Sequence, residues 1–140
     1  MIDYKISEFL DKHPELTFDG IDYRQKGQDY DNNKQALLNA VDEIEMCIEW
    51  LNKFYVTNFK LVNPISNSNL KHYVEKYFKT YISPGSVIAA VKILNVRHWQ
   101  YEDDPNIYLS FRKDRMRNLE EIYRLESELH QRSNNVVESI

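Results

Sequence analysis

The chain has 140 residues, of which 42% are hydrophobic and 29% charged, and its formal net charge is −4. This length corresponds to one domain, residues 1–140, and the composition excludes an extensively disordered chain. The single cysteine, Cys47, excludes an intramolecular disulfide and a cysteine-based zinc site. Only three glycines and four prolines are present, too few for an all-β fold with frequent turns, so we expect helices.

The N-terminus and the distribution of apolar residues predict a cytoplasmic protein. Residues 1–5 lack the basic region and the apolar stretch of a signal peptide. No stretch approaches the roughly 18 consecutive apolar residues of a membrane span. We therefore expect no membrane partner.

Charge is distributed unevenly along the chain. Residues 1–65 carry 7 basic and 12 acidic side chains, residues 66–117 carry 9 and 5, and residues 118–140 carry 2 and 5. Only the middle of the chain is therefore basic. The predicted parts are an acidic helical part (1–65), a segment like a helix-turn-helix with a hairpin (66–112), a long C-terminal helix (113–135) and a frayed tail (136–140).

The N-terminal part predicts two helices separated by a loop. Apolar residues at helical spacing predict a short helix over residues 2–10, which ends before Pro14. Residues 15–33 are polar and lack a sustained period, so we expect a loop with room for a short strand. Residues 34–55 carry the clearest apolar stripe and predict one core helix. Trp50 lies off that stripe, on a flank that is exposed unless a second element or a partner covers it.

The middle of the chain predicts two helices in close succession. Ser66 and Ser68 are the candidate N-caps of a helix over residues 69–80. Ser83 as N-cap and Pro84 at the first helical position then begin a second helix. Because this second helix is apolar nearly all round, we expect it to be the most buried element.

The rest of the chain predicts a hairpin and one more helix. Residues 96–101 and 107–111 have the composition of two short paired strands. The fold class is therefore mainly α, with four to five helices and a small β-hairpin, and the middle segment is like a helix-turn-helix with a wing. The last helix carries a short apolar stripe that favours a homodimer contact or packing back on the domain. The candidate dimer residues are Leu119, Ile122, Leu125 and Leu129.

The order helix, turn, helix, hairpin, together with the basic charge, is typical of a winged helix-turn-helix protein that binds DNA. Backbone N–H groups at the start of the second helix would bind phosphate. That helix has few outward polar residues, however, and the alternative is a well-capped helix beside a solvated basic face. The candidate nucleic-acid-binding residues are Lys79, Ser83, Gly85, Ser86, Lys92, Arg97 and Arg112.

The aromatic residues suggest a second kind of site. Exposed tyrosine and tryptophan mark protein-binding surfaces more often than exposed aliphatic residues do. Tyr4, Tyr23 and Tyr30 have polar neighbours in the sequence, and with Trp50 they are the candidate protein-binding residues. The alternative is that these aromatic residues simply cover a small core.

The sequence predicts no catalytic residue, no metal site and no cofactor. Cys47 lies on an apolar stripe, where a thiol is unreactive, and neither a Gly-x-Ser-x-Gly nor a phosphate-binding glycine motif is present. His72 and Glu75 share a helix face at the spacing of a bundle metal site, but no second pair repeats it. Residues 102–104 lack the alternation and glycine of a calcium loop. We therefore expect a protein that is not an enzyme.

Three short motifs carry a resemblance to a known group of proteins. They are S-x-S-x-L-K-H from Ser66 to His72, Y-x-x-x-G-x-x-I-A-A from Tyr81 to Ala90, and the pair Pro105 and Asn106. Their order and spacing resemble a pattern in small uncharacterised proteins of bacteria, their phages and plasmids. The resemblance implies an accessory protein of a mobile genetic element, a context that often encodes regulators or inhibitors acting by binding.

Two functions are therefore expected. The favoured one is a protein-binding accessory factor, such as an inhibitor of a host defence enzyme similar to anti-CRISPR proteins, with a host or phage protein as its partner. The overall acidity and the weak recognition helix favour it. The alternative is a transcriptional regulator that binds duplex DNA, as a dimer formed through the last helix.

Overall fold

The structure is a computed structural model that describes residues 2–54 and 63–111. Arg112, the predicted C-terminal helix, its dimer candidates Leu119, Ile122, Leu125 and Leu129, and the tail lie outside the described residues. The elements are α1 (Ile2–Lys12), β1 (Leu16–Thr17), β2 (Gly20–Ile21), α2 (Gln28–Leu38), α3 (Val41–Phe54), β3 (Asn63–Ser66), α4 (Asn67–Phe78), α5 (Pro84–Ile93) and β4 (Tyr108–Phe111). The predicted mainly α fold with a small antiparallel sheet is confirmed.

Helix α5 lies at the centre of the described structure. Helices α1, α3 and α4 and strands β1 and β2 all contact it. Every residue from Gly85 to Val91 is buried, which confirms the burial predicted from its apolar composition. None of the described helices is long and apolar enough to cross a lipid bilayer.

The starts of α4 and α5 follow the predicted capping. The Ser66 hydroxyl accepts a hydrogen bond from the Asn69 backbone N–H at 3.2 Å, and Ser83 does the same for Ser86 at 3.2 Å. Each cap satisfies a backbone donor that the first turn of a helix leaves unpaired. Pro84 occupies the first turn of α5, where its missing N–H is not needed.

The prediction of one helix over residues 34–55 is wrong. Helix α2 begins earlier, at Gln28, inside the segment expected to be a loop, and it ends at Leu38. Asn39 is the C-cap, and its N–H bonds to the carbonyl of Gln35 at 3.0 Å, while the N–H of Ala40 bonds to the carbonyl of Leu37 at 2.9 Å. Helix α3 then begins at Val41. The apolar period continues across this break, so periodicity alone did not reveal it, although asparagine is a favourable residue at a helix end.

Strand β4 pairs mainly with a different partner from the one that the sequence predicted. It lies antiparallel to β3, from Asn63 opposite Phe111 to Ser66 opposite Tyr108. The predicted strand over residues 96–101 contributes a single bridge, between Trp99 and Tyr108. Residues 63–66 therefore form a strand whose partner lies more than 40 positions away in the chain.

The β1–β2 hairpin packs closely against two other parts of the chain. A Cβ atom on Gly85 of α5 would lie 1.8 Å from the backbone oxygen of Thr17, so only glycine fits at this contact. Gly20 has a φ of 136°, and a Cβ atom there would lie 2.7 Å from the backbone oxygen of Pro105. The hairpin is thereby fixed between α5 and the loop that precedes β4.

Candidate functional surface

The N-terminus of α5 holds a carboxylate of the protein itself. Glu43 on α3 accepts hydrogen bonds from the backbone N–H of Ser83 at 2.7 Å and from the hydroxyl of Ser86 at 3.2 Å. The N–H of Gly85 donates to the carbonyl of Phe18 at 2.9 Å. Because the positive end of the helix dipole attracts anions, Glu43 occupies the position expected for a phosphate. Ser83, Gly85 and Ser86, which the sequence suggested as nucleic-acid-binding residues, are buried and do not form part of the surface.

The basic candidates do not form a recognition surface on α5. Lys79 is the exposed C-cap of α4, before α5 begins, whereas Lys92 lies in the last turn of α5. At 1.5 Å per residue, the ten residues of α5 separate the two ends by about 15 Å. Lys92 donates to the side-chain oxygen of Gln100 at 3.3 Å, and Arg97 is exposed in the following segment. Since the helix between them is buried, it cannot enter a DNA groove without leaving the core.

Two of the predicted protein-binding residues have structural roles. Trp50 has no exposed surface and belongs to the hydrophobic core, so its flank of α3 is covered by other elements of the domain, one of the alternatives that the sequence left open. Tyr30 is half-buried and donates its hydroxyl to the carbonyl of Pro14 at 2.6 Å, which attaches α2 to the end of α1. Burial and the neighbouring Asp31 raise the pKa of Tyr30. Tyr4 lies in α1, and its side chain is outside the described part of the structure.

Tyr23 is the predicted residue that the structure places at the surface, with 42% of its area exposed. Its hydroxyl donates to the carbonyl of Asp104 at 2.7 Å and lies 3.3 Å from the carbonyl oxygen of Tyr101. The side-chain amide of Gln100 donates to the same hydroxyl at 3.4 Å. Tyr23 is therefore fixed in place by a segment almost 80 positions away.

Three further aromatic residues lie beside Tyr23. The indole N–H of Trp99 donates to the hydroxyl of Tyr101 at 3.2 Å, and the rings of Tyr101 and Tyr108 meet edge to face at 5.4 Å between centroids. Tyr101 is 59% exposed. We call Tyr23, Trp99, Tyr101 and Tyr108 the tyrosine surface. The sequence placed the last three in a hairpin, although the concentration of aromatic residues beside acidic ones was a visible signal.

The loop that carries the tyrosine surface is held in place at several points. The hydroxyl of Tyr108 donates to Oδ2 of Asp104 at 2.6 Å, and the backbone N–H of Asn106 donates to Oδ1 at 2.9 Å. These two bonds lower the pKa of Asp104, and the bond to the carboxylate raises the pKa of Tyr108. The N–H of Ile21 donates to the carbonyl of Pro105 at 2.9 Å. The aromatic side chains are therefore preorganised, which lowers the entropy lost on binding.

An open cleft of about 370 Å³ adjoins the tyrosine surface. We call it the aspartate cleft, and its lining residues are Thr17, Asp19, Gly20, Ile21, Asp22, Tyr23, Arg24, Asn33, Asp103 and Pro105. Three carboxylates and one guanidinium line it, a net charge of −2. Tyr23 belongs to both features, so the aromatic and acidic parts form one continuous surface.

The other polar clusters have structural explanations. Ser83 and Ser86 lie 2.7 Å apart beside Glu43, but both serines are buried and no substrate can reach them. Burial and the nearby Glu43 raise the pKa of Cys47, which keeps its thiol protonated. Among the described residues, no group of three histidine, cysteine, aspartate or glutamate side chains could hold a metal ion.

Glu75 links α4 to the segment before α5. Its carboxylate bonds to His72 at 3.1 Å and to the N–H of Ile82 at 3.2 Å, and it pairs with Lys71 at 3.4 Å. Burial alone would raise the pKa of Glu75, but the Ile82 hydrogen bond and the charge of Lys71 lower it. Lys71 also lies over the ring of Tyr81, 4.7 Å from its centroid. This cluster orders the connection between the two helices.

The residues of the three motifs that carry the resemblance mainly make structural contacts with one another or lie buried in the core. The hydroxyl of Ser68 bonds to the side-chain oxygen of Asn106 at 3.1 Å, and the side-chain oxygen of Asn67 accepts from the N–H of Ile107 at 2.8 Å. Ala89 and Ala90 are fully buried in α5. The motifs therefore describe how α4, α5 and the loop before β4 assemble.

Comparison of the chain with protein-family models, with curated proteins and with solved structures gives no match. The functional assignment of the surface therefore rests on the geometry of this chain.

Proposed function

We propose that this chain is a non-enzymatic binding factor that recognises another protein through the tyrosine surface. In the context that the sequence motifs imply, it acts as an accessory factor of a mobile genetic element and inhibits a host enzyme by occupying part of its surface. The observation that carries the proposal is the pair of exposed tyrosines, Tyr23 and Tyr101, whose positions are fixed by hydrogen bonds across the chain.

Tyrosines of this kind suit protein recognition for a physical reason. A tyrosine buries a large area with only two side-chain torsions to fix, so it loses little entropy on binding. Tyr101 already contacts Trp99 and Tyr108, so part of that entropy is lost on folding. Residues with these properties supply most of the binding energy in many interfaces.

Charge also favours a protein over a nucleic acid. The acidic side chains of the aspartate cleft adjoin the tyrosine surface and would repel phosphate. The helix expected to read DNA is buried, and its N-terminus is occupied by Glu43. Of the features that suggested DNA binding, exposed basic residues such as Lys79 and Arg97 remain in the described structure, but the helix between them is not exposed.

The test compares two variants in which an exposed tyrosine is replaced by alanine, one inside the tyrosine surface and one outside it. Immobilised wild-type protein captures its partner from extracts of the host cell, and the purified partner is then titrated by calorimetry. We expect Tyr101→Ala to weaken binding by about 2 kcal/mol, or roughly thirtyfold in Kd, as at an interface hot spot. The matched control is Tyr81→Ala, which removes a ring of similar exposure, 55%, that contacts Phe18 and Lys71 instead.

Tyr81→Ala should change the affinity less than threefold while leaving the melting temperature close to that of Tyr101→Ala. Equal affinities for the two variants would contradict the proposal. So would tight, sequence-dependent and salt-sensitive binding of duplex DNA in a fluorescence-anisotropy titration at two salt concentrations.

A further inference from the structure

The side chains that line the aspartate cleft carry an excess of negative charge, three aspartates against one arginine. Arg24 is the cation in the lining, and its Nε lies 3.7 Å from Oδ1 of Asp22. Within residues 2–54 and 63–111, neither Asp19 nor Asp103 makes an ion pair. The cleft is thus an open concave surface with more negative than positive charge in its lining.

The geometry favours an organic cation over a metal ion. In the described part of the chain, no three acidic side chains converge closely enough to share a metal. A guanidinium is larger and planar, with five N–H donors directed outwards, so it can satisfy carboxylates that lie on different sides of a cleft. It also stacks on aromatic rings, and Tyr23 lines this cleft.

We propose that the aspartate cleft binds an arginine side chain from a basic segment of the partner protein. The guanidinium pairs with Asp19 and Asp103, the two aspartates of the cleft that make no ion pair within the described residues, and the residues that flank the arginine in the partner lie across Tyr23 and Tyr101. The inference rests on the proposed function, because the same partner must cover the tyrosine surface. Charge complementarity then sets the orientation, and the aromatic contacts supply most of the affinity.

The test uses a defined probe and does not need the partner. An acetylated and amidated glycine tripeptide with a central arginine is titrated into the full-length chain, and backbone amide shifts are followed by NMR. The control peptide replaces arginine with citrulline, which keeps the shape and loses the charge. We expect weak, millimolar binding that shifts the amides of residues 19–24 and 103–106, that weakens with salt, and that citrulline does not reproduce.

Substitutions in the cleft locate the charge effect. Asp103→Asn and Asp19→Asn should each weaken arginine binding by about three- to tenfold. Both side chains are exposed and make no ion pair within the described residues, so these substitutions remove charge without breaking a pair of the protein itself. Asp42→Asn, an exposed aspartate at the start of α3, removes the same charge elsewhere and should have no effect.

The inference is overturned if the arginine peptide shifts no amide in these segments, if citrulline binds equally well, or if Asp42→Asn weakens binding as much as the cleft variants. This failure is distinct from failure of the proposed function. If arginine does not bind but Tyr101→Ala still abolishes partner binding, the tyrosine surface stands and only the arginine site is lost. If the arginine peptide binds but Tyr101→Ala leaves partner binding unchanged, the arginine site stands and the proposed role of the tyrosine surface is lost.

Discussion

Replacing Glu43 tests whether the N-terminus of α5 is a structural junction. Glu43 is the carboxylate that connects α3 to the start of α5, through the N–H of Ser83 at 2.7 Å and the hydroxyl of Ser86 at 3.2 Å. Ser83 and Ser86 have no exposed surface, so water cannot replace the lost acceptor without opening the core. If the N-terminus of α5 were instead a binding site for an external phosphate, removing the Glu43 carboxylate would not lower the free energy of unfolding.

The size of the effect follows from the groups involved. A hydrogen bond to a charged group contributes about 1.5–3 kcal/mol, and a carboxylate at a helix N-terminus adds about 0.3–1 kcal/mol. Because contributions that share one carboxylate are not additive, we expect Glu43→Ala to lower the free energy of unfolding by about 2–4 kcal/mol. Glu43→Gln keeps an acceptor of the same length but loses the charge, and should lower it by about 1–2 kcal/mol.

Urea denaturation followed by circular dichroism at neutral pH measures both values. With a slope of about 1–3 kcal/mol per molar urea, the Ala variant should shift the midpoint by about 0.7–4 M. The control is Glu49→Ala, an exposed position on the same helix, which should stay within about 0.5 kcal/mol of the wild type. If Glu43→Ala were no less stable than Glu49→Ala, the junction would carry no stability and our reasoning would be wrong.

Three further changes test the packing. Gly85→Ala places a Cβ atom 1.8 Å from the backbone oxygen of Thr17, so we expect a loss of about 3 kcal/mol or more and no cooperative unfolding transition. The comparison is Gly27→Ala, which has no atom within 4 Å but a φ of 100°; it carries backbone strain of about 1–2 kcal/mol without a clash, so it should be destabilised less and still unfold cooperatively. Lys34→Met removes three hydrogen bonds of 2.9–3.0 Å to backbone carbonyls around the end of α1. We expect the free energy of unfolding to fall by about 2–3 kcal/mol, measured by thermal or urea denaturation. An unchanged midpoint would contradict this. Cys47 is buried with a raised pKa, so a thiol reagent should label it only as fast as the core opens, and rapid labelling of native protein would show that the core is more open than the structure indicates.

The parts of the fold that depend on neighbouring residues could be predicted from the sequence. Ser66 and Ser83 bond to N–H groups three positions ahead, so their capping roles follow from local geometry. The burial of α5 was also predictable, because a helix that is apolar on all sides is stable only when other elements cover every side. Tyr23 was a correct candidate for exposure, since its neighbours in the chain are polar.

The features that only the tertiary structure decided all join residues far apart in the chain. Glu43 reaches Ser83 across 40 positions, and Tyr23 is fixed by the carbonyl of Asp104 across 81. Trp50 is covered by other elements of the domain, whereas the sequence left open whether an element or a partner covers it. The sequence of a segment determines its propensity to form a helix, strand or turn. The contacts between segments depend on how the whole chain buries its apolar area and pairs its polar groups. For the same reason Tyr23 could be recognised as a candidate from its polar neighbours, whereas the residues that assemble with it into one surface could not.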